Sequence, residues 1–296
     1  MPELLALAAA LTFGLVHFLS GLLARRADSY GVAATGQIGG TVLVAVVALA
    51  GTPFDGQLPL AAAPHVGAVA LGWGALSGVG TGIGVAYLYR GLATGQMSVV
   101  VPLSDVAAVA LPVLFGVALL GDRPGLAAWL GIALAAPALW LVSRHPATGG
   151  STPGTPGAGR TASGTRYGLL AGVGFAVQFL AISRIDPAAG LWPILLARLA
   201  AAVTIWPMAR AAGADLRIPR HLVAPAALVG VLGSVAIVLY LAATRAQLLA
   251  VATVLAALYP AVPVLLAIAV LRERPTRAQV AGLLTTAAAI ALIALS

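Results

Sequence analysis

Two ionisable side chains stand inside long apolar runs of this 296-residue sequence: Asp105 in VVVPLSDVAAVALP and Arg198 in WPILLARLAAAVTIW. A carboxylate turned toward hydrocarbon costs about 2.5 to 3.5 kcal/mol on insertion scales, so Asp105 must face protein or water. It reads either as a proton-coupling or cation-binding group or as a structural hydrogen-bond acceptor. Arg198 carries a planar fork of N–H donors suited to a substrate carboxylate or phosphate. Its other readings are an anchor that snorkels to the interface and a fixed, mutually neutralising pair with Asp105.

Uncharged polar groups in apolar surroundings extend the set. Laying FGLVHFL (13–19) over GFAVQFL (174–180) aligns His17 with Gln178, and polar groups at related depths predict a cavity wall. Proton relay by the imidazole and plain interhelical hydrogen bonding are the competing readings. Gln37 falls roughly where Arg198 falls in the second half and joins the cavity on that ground. Tyr259 directly precedes Pro260, where an opened backbone and a phenol can both meet substrate, and Trp73 is a further cavity candidate. Tyr89 and Trp192, near segment ends, read as interfacial belt residues. Pro112 and Pro263 are candidate hinges. HExxH, GxSxG and Walker patterns are missing, as are paired intramembrane carboxylates and any cysteine. No enzyme, catalytic residue, cofactor or metal site is therefore expected, and any transport must be secondary or passive.

The elements that position these residues follow from composition. Apolar types make up 61% of the chain and charged types 8%, against roughly 25% charged in a soluble domain. So few charges cannot cover a water-facing surface, and the chain must face lipid. A spanning helix takes about 20 apolar residues. Cutting at charges and Pro/Gly clusters gives ten such segments: 3–24, 31–50, 64–89, 97–119, 125–143, 167–183, 189–209, 222–244, 248–270 and 276–295. The expected fold is an all-α polytopic membrane protein. The first segment lacks a basic leader region and is expected to be retained. The stretch 144–166, rich in Gly, Ser, Thr and Pro, reads as a flexible linker between repeats at 1–143 and 167–296. In the third segment Gly74, Gly78 and Gly82 recur every fourth residue, a smooth strip for close helix contact.

The halves are related. A shift of 151 positions lays Gly82 on Gly233 (233 − 82 = 151), Tyr89 on Tyr240, Gln96 on Gln247, Pro112 on Pro263 and Arg123 on Arg274, with Asp122 on Glu273. Asp105 falls on Ala256, so the repeat itself does not require that acid. Five spans per repeat is an odd number, so the second repeat enters from the opposite side. The expectation is ten transmembrane helices as two inverted five-helix repeats, an architecture built for alternating access. The net charge of +8 lies scattered at segment ends, a topology signal and not a nucleic-acid footprint. Taken literally, it puts the linker inside the cell and both termini outside.

The closing stretch ALYPAVPVLLAIAVLRERPTRAQVAGLLTTAAAIALIAL, from Ala257 to Leu295, and its counterpart PVLFGVALLGDRPGLAAWLG resemble EamA-type transporters of the drug/metabolite transporter superfamily. That resemblance spans essentially the whole chain and extends to Arg198. It implies a central cavity and, for many bacterial members, export of amino acids or other small metabolites across the inner membrane. It also implies cytoplasmic termini in many ten-helix members, opposite to the orientation read from the scattered basic residues. The expected partners are a small-molecule substrate, the lipid bilayer and protons as coupling ion, with no nucleic acid, in a monomer or homodimer. A flippase for a lipid-linked or phosphorylated head group and a non-transporting membrane scaffold are the alternatives.

Overall fold

The computed structural model describes residues 2–50, 67–115, 125–143, 158–182, 184–185, 189–246, 261–272 and 275–294. All regular structure in them is helical: α1 (Pro2–Ala24), α2 (Ser29–Ala50), α3 (Ala68–Thr94), α4 (Met97–Phe115), α5 (Leu126–Ser143), α6 (Ala158–Ile182), α7 (Trp192–Ala211), α8 (Arg220–Ala246), α9 (Ala261–Leu271) and α10 (Arg277–Ala294). Each overlaps one of the ten apolar segments, α9 only the second half of 248–270, whose first half lies outside the described residues. Six of them, α1, α2, α3, α6, α7 and α8, contain stretches long and apolar enough to cross a membrane. Tyr259, Asp122, Glu273 and most of the expected linker lie outside the described residues.

Helix ends follow local chemistry more than hydropathy. α6 begins at Ala158, inside the stretch 144–166 read as linker, because a helix needs no apolar residues once it leaves the hydrocarbon. α2 begins at Ser29 because the Asp28 carboxylate accepts the Tyr30 N–H at 2.8 Å, a side-chain cap on an otherwise orphaned donor. α7 stops where Gly213 takes a positive φ of 62°, letting Ala214 N–H reach Ala209 O at 2.9 Å and Gly213 N–H reach Arg210 O at 3.0 Å. Three helices carry an internal proline, Pro137 in α5, Pro207 in α7 and Pro225 in α8. Pro112 lies within α4 and Pro263, buried, within α9.

α3 is the centre of the bundle and packs along α6 and α7, while α8 packs along α1 and α2. α4 lies on α6, α5 on α10, and α9 touches α1 and α4. Small residues set these distances. The Gly74, Gly78 and Gly82 strip lies against the backbone at Pro193, Ala197 and Ala201 of α7. A second α3 strip, Gly80 and Gly84, lies against Gly174, Phe175 and Gln178 of α6, and Gly36, Gly39 and Gly40 of α2 meet Ala226, Ala227 and Gly230 of α8. Between lipid-exposed helices such contact is the main source of association, since burial from lipid supplies no hydrophobic gain. The outward faces are correspondingly apolar, with Leu11, Val42, Val46 and Val203 all exposed.

The linker-facing end is closed. Leu88, Leu92, Met97, Val100 and Val101 are fully buried there. Arg25 donates to Leu92 O at 3.1 Å and Gly95 O at 3.2 Å, capping the carbonyl end of α3. Arg90 donates through Nε to the Tyr167 hydroxyl at 2.9 Å and lies over the rings of Tyr30 and Tyr167, at 5.5 and 5.4 Å from their centroids, tying α2, α3 and α6 together.

If backbone proximity governs assembly, two glycines of one helix must respond differently. A Cβ at Gly78 would collide with the Ala197 backbone and Ala200, whereas Gly72 faces open space. Gly78→Val is expected to cost about 1 to 3 kcal/mol or more and Gly72→Val under about 1, read as thermal unfolding in detergent. Equal responses would show that the α3–α7 contact is not limiting.

Candidate functional site

Arg198 sits two turns into α7 with 7% of its surface exposed. Small neighbours make room for it: Ala197 and Ala201 press against α3 glycines, which draws α7 inward. Its Nη1 donates to Gln37 Oε1 of α2 at 3.2 Å. Asp105 is not its partner. That carboxyl is buried on α4, where the neighbouring Ser104 hydroxyl donates to it at 3.4 Å, so the expected neutralising pair is replaced by two separate polar centres. The reason is packing: Ser104 and Ala107 of α4 are pressed onto Gly172 of α6, a different interface from the one holding Arg198.

Gln178 is the second polar element. The Thr81 hydroxyl donates to Gln178 Oε1 at 2.7 Å, and the Ser77 hydroxyl to Gln178 O at 3.3 Å. Ser77, Thr81, Gln178 and Arg198 together line a cavity of about 30 Å³, with Ile182, Ile185, Ile194, Ala197 and Ile237 completing its wall. That is room for ordered water. A larger chamber of about 220 Å³ shares Arg198, Ile194 and Ile237 and is otherwise walled by Leu43, Val44, Val47, Leu191, Ser234, Val235, Val238 and Leu239. Both cavities use the first half of α7 and the second half of α8; the smaller adds the first half of α3 and the end of α6, the larger the second half of α2, all away from the closed linker end.

Of the residues expected from sequence, Gln37, Gln178 and Arg198 converge on this centre. His17 does not line either cavity; its backbone carbonyl accepts the Ser20 hydroxyl at 2.9 Å, and Ser20 in turn meets the Tyr89 hydroxyl. Trp73, half-buried one turn before Ser77, also lines neither cavity. Tyr89, read as an interfacial residue, is instead buried at 5% exposure and lies within electrostatic reach of Arg198. Trp192 is partly exposed at the start of α7, as a belt residue would be. Ser77 and Thr81 were missed because their helix reads as a glycine packing strip. Their spacing of four, which stacks two hydroxyls on one face, was the available signal. Among the described residues no three His, Asp or Glu side chains gather in a metal-binding group.

This polar centre is shared between the two halves of the chain, and the second half has known relatives. The profile of the EamA-like transporter family matches residues 163–295. Those residues form an EamA domain of the drug/metabolite transporter superfamily. One solved structure, described only as "Crystal structure of protein", superposes with a TM-score of 0.56 at 17% identity, covering 98% of this chain and 95% of that one, so the two share a fold. No curated protein matches the chain. The EamA domain supplies Gln178, Arg198, Ser234 and Ile237 to the two cavities, and the preceding half supplies Val44, Ser77 and Thr81, with Gln37 as the partner of Arg198.

Gln37→Leu removes the hydrogen-bond acceptor of a buried guanidinium and is expected to cost about 1 to 3 kcal/mol. Adding Arg198→Leu should restore part of that loss, because the stranded charge goes with it. A thermal double-mutant cycle in detergent checks this, and additive losses would show that the two side chains do not depend on each other.

Proposed function

We propose that this chain, a multi-pass membrane transporter of the drug/metabolite type, is a secondary transporter. On this reading it exports amino acids or similar small metabolites across a bacterial inner membrane, by alternating access of two inverted five-helix repeats. The observation that carries the proposal is the Arg198–Gln37 bond. Its partners are 161 residues apart, and the same separation relates His17 to Gln178 (178 − 17 = 161). Equivalent positions of the two repeats thus meet at the centre of the bundle, as a pseudo-two-fold axis between them requires.

Helix packing supports the same symmetry. Exchanging α1–α5 with α6–α10 turns the α3–α6 contact into α8–α1, the α3–α7 contact into α8–α2 and the α4–α6 contact into α9–α1, while α2–α7 and α5–α10 map onto themselves. Two repeats that can exchange conformations give two states of similar energy, the requirement for carrying a solute across without a pore. The closed linker end and the cavities toward the opposite end fit one of those states. Arg198 serves as the anion clamp, with Gln37 and Gln178 beside it. Tyr259 and the Pro112 and Pro263 hinges belong to the same reading, while His17 and Trp73 bear on the site from one layer out.

Asp105 is the candidate coupling group. A buried carboxyl on the helix that faces α6 can bind and release a proton as the repeats exchange. Uptake of a labelled amino-acid panel into inverted vesicles, with and without a pH gradient, tests the transport proposal. Gradient-stimulated uptake of at least one solute is expected, and lipid scrambling with no solute flux would transfer the assignment to a flippase. In the same assay Asp105→Asn is expected to abolish the gradient dependence while the folded yield stays unchanged. Full proton-driven flux in that variant would remove Asp105 from coupling.

A further inference from the structure

The wall of the larger chamber narrows what Arg198 is built to hold. Apart from Arg198 itself and Ser234, its described lining is aliphatic. The Ser234 hydroxyl is turned to the backbone, donating to Gly230 O at 3.2 Å and Gly40 O at 3.3 Å. In the adjoining polar cavity the Ser77 and Thr81 hydroxyls are likewise spent on carbonyl oxygens. Of the Arg198 N–H donors, Nη1 goes to a neutral amide, and among the described lining residues of either cavity there is no Asp or Glu. One end of the site is a buried positive charge with donors to spare. The other end is an apolar pocket, and an α-ammonium, attached next to a carboxylate held on Arg198, would lie beside that same cation, where the described lining offers neutral groups and no acid.

We infer that the preferred ligand is an amphipathic monocarboxylate without an α-ammonium group, its carboxylate forked on Arg198 and its hydrocarbon body filling the chamber between α2, α7 and α8. The inference rests on the transporter reading for its physiological meaning but concerns binding alone. Geometry limits the body: a dry cavity of about 150 Å³ accepts benzene, so about 220 Å³ takes a phenyl ring or a short branched chain and not a lipid tail. Beside Arg198 an ammonium would meet a like charge and, among the described residues, no counter-charge, which separates an acid from the amino acid of the same shape.

Phenylacetate and phenylalanine make that comparison, with acetate as the carboxylate lacking a body. Isothermal titration of the purified full chain is expected to give a Kd for phenylacetate at least tenfold below those for phenylalanine and acetate. Arg198→Gln should abolish the phenylacetate signal. Because that variant removes a buried charge and has its own folding risk, Val47→Phe provides an independent arm. It fills the chamber from α2 and should weaken phenylacetate at least tenfold while leaving acetate unchanged. Phenylalanine binding as tightly as phenylacetate would overturn the inference, as would no phenylacetate binding by the wild-type chain or unaltered binding in both variants. Any of these would leave transport to be judged by the vesicle flux assay, run with labelled phenylacetate beside the amino-acid panel, in which failure requires that neither class of solute moves.

Discussion

A guanidinium surrounded by helices in a bilayer has no bulk water to fall back on, so the protein around it must supply donors' partners and limit the field it sets up. In this chain the partner is neutral. Arg198 meets the Gln37 amide oxygen, lies near the Tyr89 phenol and has no carboxylate beside it among the described residues. A fully neutralised Arg–Asp pair would have given a stable and inert core. An amide partner holds the side chain in place and leaves its charge uncompensated, which suits a site whose counter-ion arrives and leaves with the substrate.

The rest of the bundle makes that placement possible. Arg198 can reach α2 only because α7 lies directly on the α3 glycine strip, and α2 meets α8 through Gly36, Gly39 and Gly40. Close backbone approach substitutes for the hydrophobic drive that lipid removes. At the other end Arg25 and Arg90 are used differently, one capping α3 carbonyls and the other set between tyrosine rings. One end of the molecule is built to stay shut in this state, and the other holds the space.

Much of this was legible in the sequence. The all-helical, membrane-spanning character was legible, because a hydrophobic run of spanning length has few other outcomes, and six of the described helices are long and apolar enough to cross a membrane. The alignment of His17 with Gln178 and the rough equivalence of Gln37 and Arg198 marked two of the three groups that converge. What the sequence could not supply was facing. His17 and Gln178 align in the sequence, yet Gln178 lines the polar cavity and His17 does not. A pair between Asp105 and Arg198 is one of the readings the sequence allows, and different glycine contacts hold them on different interfaces. The start of α6 inside the expected linker was hidden for another reason, as hydropathy reports the lipid-facing part of a helix and not its full length.

The claim on which these arguments converge is that the two halves exchange around Arg198. Because the chain contains no cysteine, a single Ile194→Cys, on the wall common to both cavities, gives a clean reporter. Its labelling by a membrane-impermeant maleimide should be measured separately from each face of oriented vesicles. Alternating access predicts reaction from both faces, with the rate from one face falling as conditions raise the rate from the other. Labelling from one face alone, in vesicles that still support solute flux, would contradict it.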